Sequence, residues 1–120
     1  MRRAFVIAVA AVAAFSFTGP LAALTDDEAE EIFLQHHRAI AAAESCYGIE
    51  FSQSQQLAMA QAINVAVENR IGTRRLRLVV EAEEEVRAML PSQSCRGDRI
   101  VRLLEFFESD LRPALGDAEG

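Results

Sequence analysis

Two cysteines constrain the fold of this chain more than any other feature, because a bond between them would force two distant segments together. Cys46 lies just before Gly48, where a helix is expected to end, and Cys95 follows a predicted helix end at Pro91. Two isolated cysteines without CxxC spacing are weak candidates for a metal site. A thiol and a structural disulfide remain, and the compartment decides between them.

The N-terminus predicts export. Two arginines precede the apolar run AFVIAVAAVAAFSF at 4–17, and a Gly-Pro break and small residues follow, which is the order of a secretory signal peptide. The 14-residue run is shorter than the roughly 20 residues that span a bilayer as a helix. We expect cleavage of residues 1–23, leaving a single helical domain at 24–120 that is periplasmic or secreted and has no stable membrane anchor. An uncleaved anchor or an ordinary buried helix is the alternative.

The exported chain would be strongly acidic. Without the first two arginines, 10 arginines stand against 18 acidic residues, a net charge of −8, and the chain has no lysine. Phosphate neutralisation by basic side chains supplies most of the affinity for nucleic acids and for anionic membrane surfaces. We therefore expect neither as a partner, and expect an unidentified protein partner instead.

Four helices are predicted after residue 23. Thr25 with Glu28, and Ser52 with Gln55, form capping boxes at the first two helix starts. The expected helices cover about 25–47, 52–71, 73–90 and 98–111, and their expected ends are Gly48, Gly72, Pro91 and the stretch from Pro113 to Gly116. Residues 113–120 are expected to form a loose acidic tail.

Each predicted helix carries an apolar stripe at helical spacing. The stripes consist of Ala29, Ile32, Phe33, Ile40, Ala43 and Tyr47; Leu57, Ala60, Ile63, Val67 and Ile71; Val79, Ala82, Val86, Met89 and Leu90; and Ile100, Leu103, Leu104, Phe107 and Leu111. The segment RRLRLVV at 74–80 also alternates like a strand, but a lone strand would have no partner. The pattern predicts an all-α fold, a small up-down-up-down four-helix bundle.

The bundle places both cysteines at one end. The first helix ends near Cys46 and the fourth begins just after Cys95, so an exported chain is expected to join them in a disulfide that staples the bundle. The rival is a helix that continues through Gly72. Residues 53–90 would then form a rod roughly 57 Å long, and the cysteines could pair only between chains.

Three polar residues fall inside or beside the apolar stripes. His36 lies in the middle of the first stripe, Glu83 within the third and Asn64 at the margin of the second. Helical rise places them about 10 to 16 Å from one end of the bundle. They could form a buried polar layer that acts as a pH-sensitive His36–Glu83 pair or as an incomplete cation site. The preferred interpretation is that each side chain reaches the surface, because buried ionisable groups are rare unless they are paired.

Motifs for catalysis are not found. The chain has no GxSxG, no HExxH and no Gly-rich phosphate loop. Glu81, Glu84 and Glu85 are weak candidates for holding a hard cation, and a solvated acidic face is the preferred interpretation of this run. No cofactor is predicted. The preferred interpretation is a non-enzymatic exported binding or accessory factor; an acid- or metal-responsive, chaperone-like periplasmic binder is the alternative, and a small hydrolase ranks third.

Overall fold

The computed structural model describes residues 23–118, and the side chains of residues 23–116. The predicted signal peptide lies outside these residues, except for its last position, Ala23. The elements are α1 Asp26–Tyr47, α2 Gln53–Ala66, α3 Arg75–Gln93, α4 Asp98–Phe106 and α5 Arg112–Ala118, with 3₁₀ turns at Gly72–Arg74 and Ser94–Arg96 and a π-helical segment at Phe107–Leu111. Because α4, the π segment and α5 follow without a break, the described chain has four helices and no strand, which confirms the all-α class.

Both predicted capping boxes are present. The Thr25 hydroxyl accepts a hydrogen bond from the Glu28 backbone N–H at 3.0 Å, and the Glu28 carboxylate accepts one from the Thr25 N–H at 2.8 Å. Ser52 and Gln55 exchange the same two bonds at the start of α2. Gly48 caps α1 with a φ of 66°, a left-handed conformation in which glycine carries no Cβ penalty.

The expected end of the second helix at Gly72 is wrong, because α2 stops at Ala66. The N–H of Glu68 bonds to the carbonyl of Val65 at 3.1 Å, and that of Asn69 bonds to the carbonyl of Asn64 at 2.9 Å. These are the two bonds of a Schellman motif, in which the residue after the cap is usually glycine. Here Glu68 takes that place with a φ of 56°, and its carboxylate accepts a hydrogen bond from the Leu24 N–H at 3.1 Å.

The expected end of the third helix at Pro91 is also wrong. α3 continues to Gln93 with Pro91 inside it, because a proline two residues from the helix end removes only one backbone bond of the final turn. Ser94 then leaves the helix with a φ of 55°. Gly97 precedes α4, and a Cβ there would stand 2.4 Å from the Cβ of Gln93, so only glycine fits this turn.

Pro113 and Gly116 do not end the fourth helix. α5 runs through both to Ala118, and Leu115 is buried in the core, so the expected loose tail is wrong for residues 113–118. The Arg112 N–H bonds to the carbonyl of Phe107, five residues back. The hydrogen-bond register thus changes one residue before Pro113. Because Pro113 has no backbone N–H that needs a partner in the preceding turn, the helix can continue through it.

The core is built around α1, which packs against each of the other three helices. Small side chains fill its buried face: Ala29, Ala39, Ala42 and Ala43 are all fully buried. One core cluster joins Ala29, Ala39 and Ala43 to larger side chains, among them Phe33, Ile63, Leu78, Phe107 and Leu115. A second cluster near the cysteines is formed by Ala41, Ala42, Val86, Met89, Ile100 and Leu103.

The predicted disulfide is confirmed. Cys46 and Cys95 are bonded with an S–S distance of 2.00 Å across a sequence separation of 49. The bond joins the last turn of α1 to the 3₁₀ turn before α4. The continuous-rod alternative is wrong, because the chain leaves helical geometry between Ala66 and Gly72 and the cysteines pair within one chain.

Polar contacts tie the helices together at the surface. The half-buried Arg38 of α1 donates hydrogen bonds to two glutamates. Its Nε lies 2.7 Å from the carboxylate of Glu85 in α3, and its Nη1 lies 2.9 Å from that of Glu31 in α1. Burial disfavours the charge of Arg38, but the hydrogen bonds to the two glutamates outweigh it and raise its pKa. At the end of α1, the exposed Tyr47 donates to Glu108, whose carboxylate also accepts from Arg112.

We expect removal of the disulfide by the double substitution Cys46→Ala and Cys95→Ala to lower the free energy of unfolding by about 4 kcal/mol, because the bond closes a large loop in the unfolded chain. Urea denaturation of the two forms measures this difference. The wild-type protein should show no free thiol and should run as a monomer without reductant. A loss below about 1 kcal/mol would contradict the stapling role.

Ala42→Leu is expected to lower the free energy of unfolding by about 1 to 3 kcal/mol, because Ala42 is fully buried and the added atoms must displace α3 or α4. The matched control is Ala88→Leu, an exposed position of α3, which should change the free energy of unfolding by less than about 0.5 kcal/mol. Equal effects of the two substitutions in urea denaturation would contradict close packing around α1.

Candidate functional site

A groove runs between α2 and α3, with α1 as its floor. Both helices pack on α1 but make few direct contacts with each other, and the space between them is a cavity of about 300 Å³. We call this cavity the α2–α3 groove. Its size is at the lower end of the range for small-molecule sites.

The middle of the α2–α3 groove is apolar. Ile40 of α1, Met59 and Ile63 of α2, and Val79 of α3 line it, together with Phe51 just before α2. Met59 and Ile63 are buried in the core, whereas Ile40 and Val79 are partly exposed. A ligand with an apolar body could therefore displace water from these side chains, which is the main favourable term in most binding.

One end of the α2–α3 groove is cationic. Arg75 lines it next to His37, and the Arg75 guanidinium stands 5.4 Å from the centre of the Phe33 ring. Its Nη2 donates to the side-chain oxygen of Asn64 at 2.8 Å. Within residues 23–116, no carboxylate forms an ion pair with Arg75. The guanidinium is therefore a half-buried charge with no acidic partner among these residues, whereas buried charges in proteins are usually paired.

His37 is neutral over the physiological range. Burial, the positive charge of Arg75 and the neighbouring His36 lower the pKa of His37 to about 4. Its ring lies 4.5 Å from the Phe33 ring. A neutral imidazole offers one hydrogen-bond donor and one acceptor, so His37 can donate to an anion next to Arg75.

The other end of the α2–α3 groove is anionic. Glu44 of α1 and Glu83 of α3 line it, and both side chains are exposed. Surrounding atoms nevertheless desolvate the Glu44 carboxylate in part, which raises its pKa, and the negative charge of Glu83 raises it further. Glu44 is seven residues after His37, which is about 10 Å along a helix. The groove thus has a positive and a negative end with an apolar wall between them.

The predicted layer of His36, Asn64 and Glu83 is not brought together. His36 is buried, at 7 % exposure, but its Nδ1 lies 2.7 Å from the carbonyl of Ile32 and its ring packs edge-on against Phe106. Glu83 is exposed at the groove, and Asn64 accepts from Arg75. Neighbouring residues of a helix point about 100° apart, so it is His37, and not His36, that faces the groove.

The acidic run of α3 is spread over several contacts. The Glu81 carboxylate lies 3.7 Å from Arg77, and Glu85 binds Arg38, while Glu84 is exposed. Among the described residues, no three His, Cys, Asp or Glu side chains lie close enough to hold a metal ion. No helix in residues 23–118 is long and apolar enough to cross a membrane.

His37 and Arg75 were missed as site residues by sequence reasoning. A signal for Arg75 was present, because Arg75, Val79 and Glu83 repeat every four residues and so share one face of α3. His37 and Glu44 are likewise separated by two helical turns. This spacing indicates which residues share a face of the helix. It does not indicate that the neighbouring helix leaves that face uncovered.

A second depression of about 500 Å³ lies beside His36 and Phe106, with Glu31, Gln35 and Asp110 around it. It is wider and more open than the α2–α3 groove. Its charged side chains are all acidic, so it offers no cation to a ligand carboxylate. The α2–α3 groove is the better candidate site, because it combines an apolar wall with charges of both signs.

We expect the stability that His37 contributes to depend on pH. Its folded pKa of about 4 lies below the unfolded value near 6.5, so the unfolded chain binds more protons between these values and stability falls as pH drops through this window. Relative to His37→Leu, the free energy of unfolding of the wild type should fall by about 2 to 3 kcal/mol from pH 7 to pH 4. Urea denaturation of both proteins at each pH measures this difference, and a difference that stays constant would contradict a buried neutral ring.

No protein-family model matches the chain. No match is found among the curated proteins or among the solved structures either. Function must therefore be inferred from the side chains of the α2–α3 groove and from the sequence.

Proposed function

We propose that the chain is an exported, non-enzymatic binding protein that holds a ligand in the α2–α3 groove. The observation that carries this proposal is the half-buried Arg75, which has no acidic partner among the described residues and lies at one end of an apolar cavity. An uncompensated charge at such a site destabilises the folded state, and a bound anionic group would relieve that cost. The groove therefore offers both a recognition charge and an apolar surface.

The proposal includes export. Residues 1–23 act as a cleaved signal peptide, and the remaining chain functions in the periplasm or outside the cell. The Cys46–Cys95 disulfide supports this, because such bonds persist in oxidising compartments and are rare in the cytosol.

The proposal also includes the up-down-up-down order of the four helices. Two contacts support a parallel α1 and α3: the disulfide joins the end of α1 to the turn after α3, and Arg38 of α1 binds Glu85 of α3. The edge-on contact of His36 with Phe106 supports an antiparallel α4. In this order the groove opens between the second and third helices.

Binding is favoured over catalysis by the side chains that line the groove. They include no serine, threonine or cysteine that could act as a nucleophile. His37 could serve as a base, but the two glutamates lie about two helical turns away from it along α1 and α3. The groove thus has the groups to hold a ligand but no nucleophile beside its histidine.

An acid-responsive binder remains the second candidate, and one observation favours it. The pKa of Glu44 is raised by burial and by Glu83, so the negative end of the groove loses charge at a higher pH than an ordinary carboxyl group would. A ligand held there by a positive group would then be released on acidification. This acid-responsive mechanism depends on protonation of Glu44 and does not require a His36–Glu83 pair.

Filling the groove should weaken the binding of a probe that has an apolar ring system. We expect the fluorescent probe ANS to bind the purified wild-type chain at one saturable site, and we expect Ala60→Trp to weaken that binding by tenfold or more, because the indole would occupy the groove that Ala60 lines. Fluorescence titration measures the affinity. The matched control is Ala88→Trp, which places an indole on an exposed position of α3 and should leave the affinity unchanged.

The groove proposal would be contradicted if Ala60→Trp bound the probe as the wild type does while keeping the disulfide and the helical circular dichroism spectrum. The same conclusion would follow if both tryptophan variants weakened the probe equally, since that result would place the probe on another surface.

A further inference from the structure

We infer that the ligand of the α2–α3 groove is a short extended peptide with free termini, its carboxylate at Arg75 and His37 and its ammonium at Glu44 and Glu83. The inference rests on the proposed binding function and adds to it the chemical class and the direction of the ligand.

The cationic end fits a carboxylate. The Arg75 Nη2 donates a hydrogen bond to Asn64, and the guanidinium lies over the Phe33 ring. These two contacts hold the planar guanidinium in place. An arginine has five N–H donors in a fixed fork that matches a carboxylate. His37 lines the same end and, as a neutral ring, can add a further N–H without competing for the negative charge.

The anionic end fits an ammonium group. Glu44 and Glu83 line it together, so two negative charges face the same space, and burial and then the charge of Glu83 raise the pKa of Glu44. A cation between them would remove the repulsion between these charges. Arg87 shares the neighbouring surface depression with both glutamates but forms an ion pair with neither of them within the described chain.

The spacing excludes the simplest zwitterion. The two ends are seven residues apart on α1 and eight on α3, which corresponds to about 10 to 12 Å. An extended chain spans at most about 3.3 to 3.6 Å per residue, so three residues place an ammonium and a carboxylate at about this separation. A free amino acid is too short to reach both ends.

The charges also exclude two other classes of elongated ligand. A diamine would bring a second positive charge against Arg75, and a dicarboxylate would bring a second negative charge against Glu44 and Glu83. Between the ends, Ile40, Met59 and Val79 offer an apolar wall. The middle and terminal side chains of the peptide are therefore expected to be apolar and small enough for a cavity of about 300 Å³.

The test uses isothermal titration of the full exported chain with the peptide Leu-Ala-Leu in four forms. These are the free peptide, the N-acetylated peptide, the C-amidated peptide and the doubly blocked peptide. We expect the free peptide to bind most tightly and each block to weaken binding by about tenfold or more, because each removes one partner of a charged hydrogen bond.

Two substitutions assign each terminus to its end of the groove. In Arg75→Gln, C-amidation should no longer weaken binding while N-acetylation still does, and in Glu83→Gln the penalty of N-acetylation should shrink while that of amidation remains. The matched controls are Arg77→Gln and Glu84→Gln, exposed positions of α3 that do not line the groove. Both controls should keep the wild-type order of affinities.

Three outcomes would overturn the inference. The first is a free peptide that binds no better than the doubly blocked one, and the second is an amidation penalty that persists unchanged in Arg75→Gln. The third is the absence of binding by any of the four peptides. If ANS still binds the wild type and Ala60→Trp still excludes it, the binding function stands and only the peptide assignment fails.

Discussion

The close approach of helices to α1 is the constraint on which the rest of this structure depends. Ala41 and Ala42 are buried against Val86 of α3 and Ile100 of α4, and a small side chain on the central helix is what lets two neighbours come so near. Alanine, however, buries little apolar area, so this part of the core contributes less hydrophobic free energy than leucine or phenylalanine would. The Cys46–Cys95 bond lies beside the same cluster. Its covalent constraint on the unfolded chain adds stability in a region where the small side chains of the core contribute little.

The sequence alone predicts the features that depend on local hydrogen bonding and on periodicity. The capping boxes at Thr25 and Ser52 could be recognised because the residue types and their spacing are the mechanism itself. The disulfide could be predicted from the expected export of the chain and from the number of helices between the cysteines. Neither inference requires knowledge of which helix faces touch.

The helix ends that the sequence misplaces are those at which an unusual residue takes the usual role. Glu68 occupies a left-handed position that glycine normally fills, and the hydrogen bond from Leu24 to its carboxylate is a tertiary contact that no local pattern contains. Pro113 continues a helix because a π-helical turn precedes it. In each case the exception depends on distant contacts or on a change of register, so propensity alone could not give it.

The predicted polar layer fails for a related reason. A helical wheel gives the angle between His36 and His37, but it does not tell which neighbour covers each face of α1. The structure turns His36 towards Phe106 and His37 towards Arg75. Of the three proposed members of the layer, only His36 is buried, and Asn64 instead accepts a hydrogen bond from the arginine that lines the groove.

The misplaced end of α2 and the missed groove have the same physical origin. A second helix running to Ile71 would enter α3 through a tight turn, and the two helices would pack side by side over α1. Instead the chain leaves helical geometry after Ala66, and contacts with the start of α1 hold the connection: Arg70 lies 3.6 Å from Asp26, and Arg74 binds Glu30. Val67 and Ile71, though outside α2, stay buried in the core.

The connection therefore acts as a spacer between α2 and α3. Its arginine side chains anchor it to α1. Because α2 and α3 make few direct contacts with each other, packing between those two helices does not set the distance at which α3 begins. The space left over the floor of α1 is the groove in which Arg75 has no acidic partner among the described residues. A chain with glycine at position 68 could keep the same turn, whereas a chain that lost the anchors at Arg70 and Arg74 would free α2 and α3 to close on each other and remove the site.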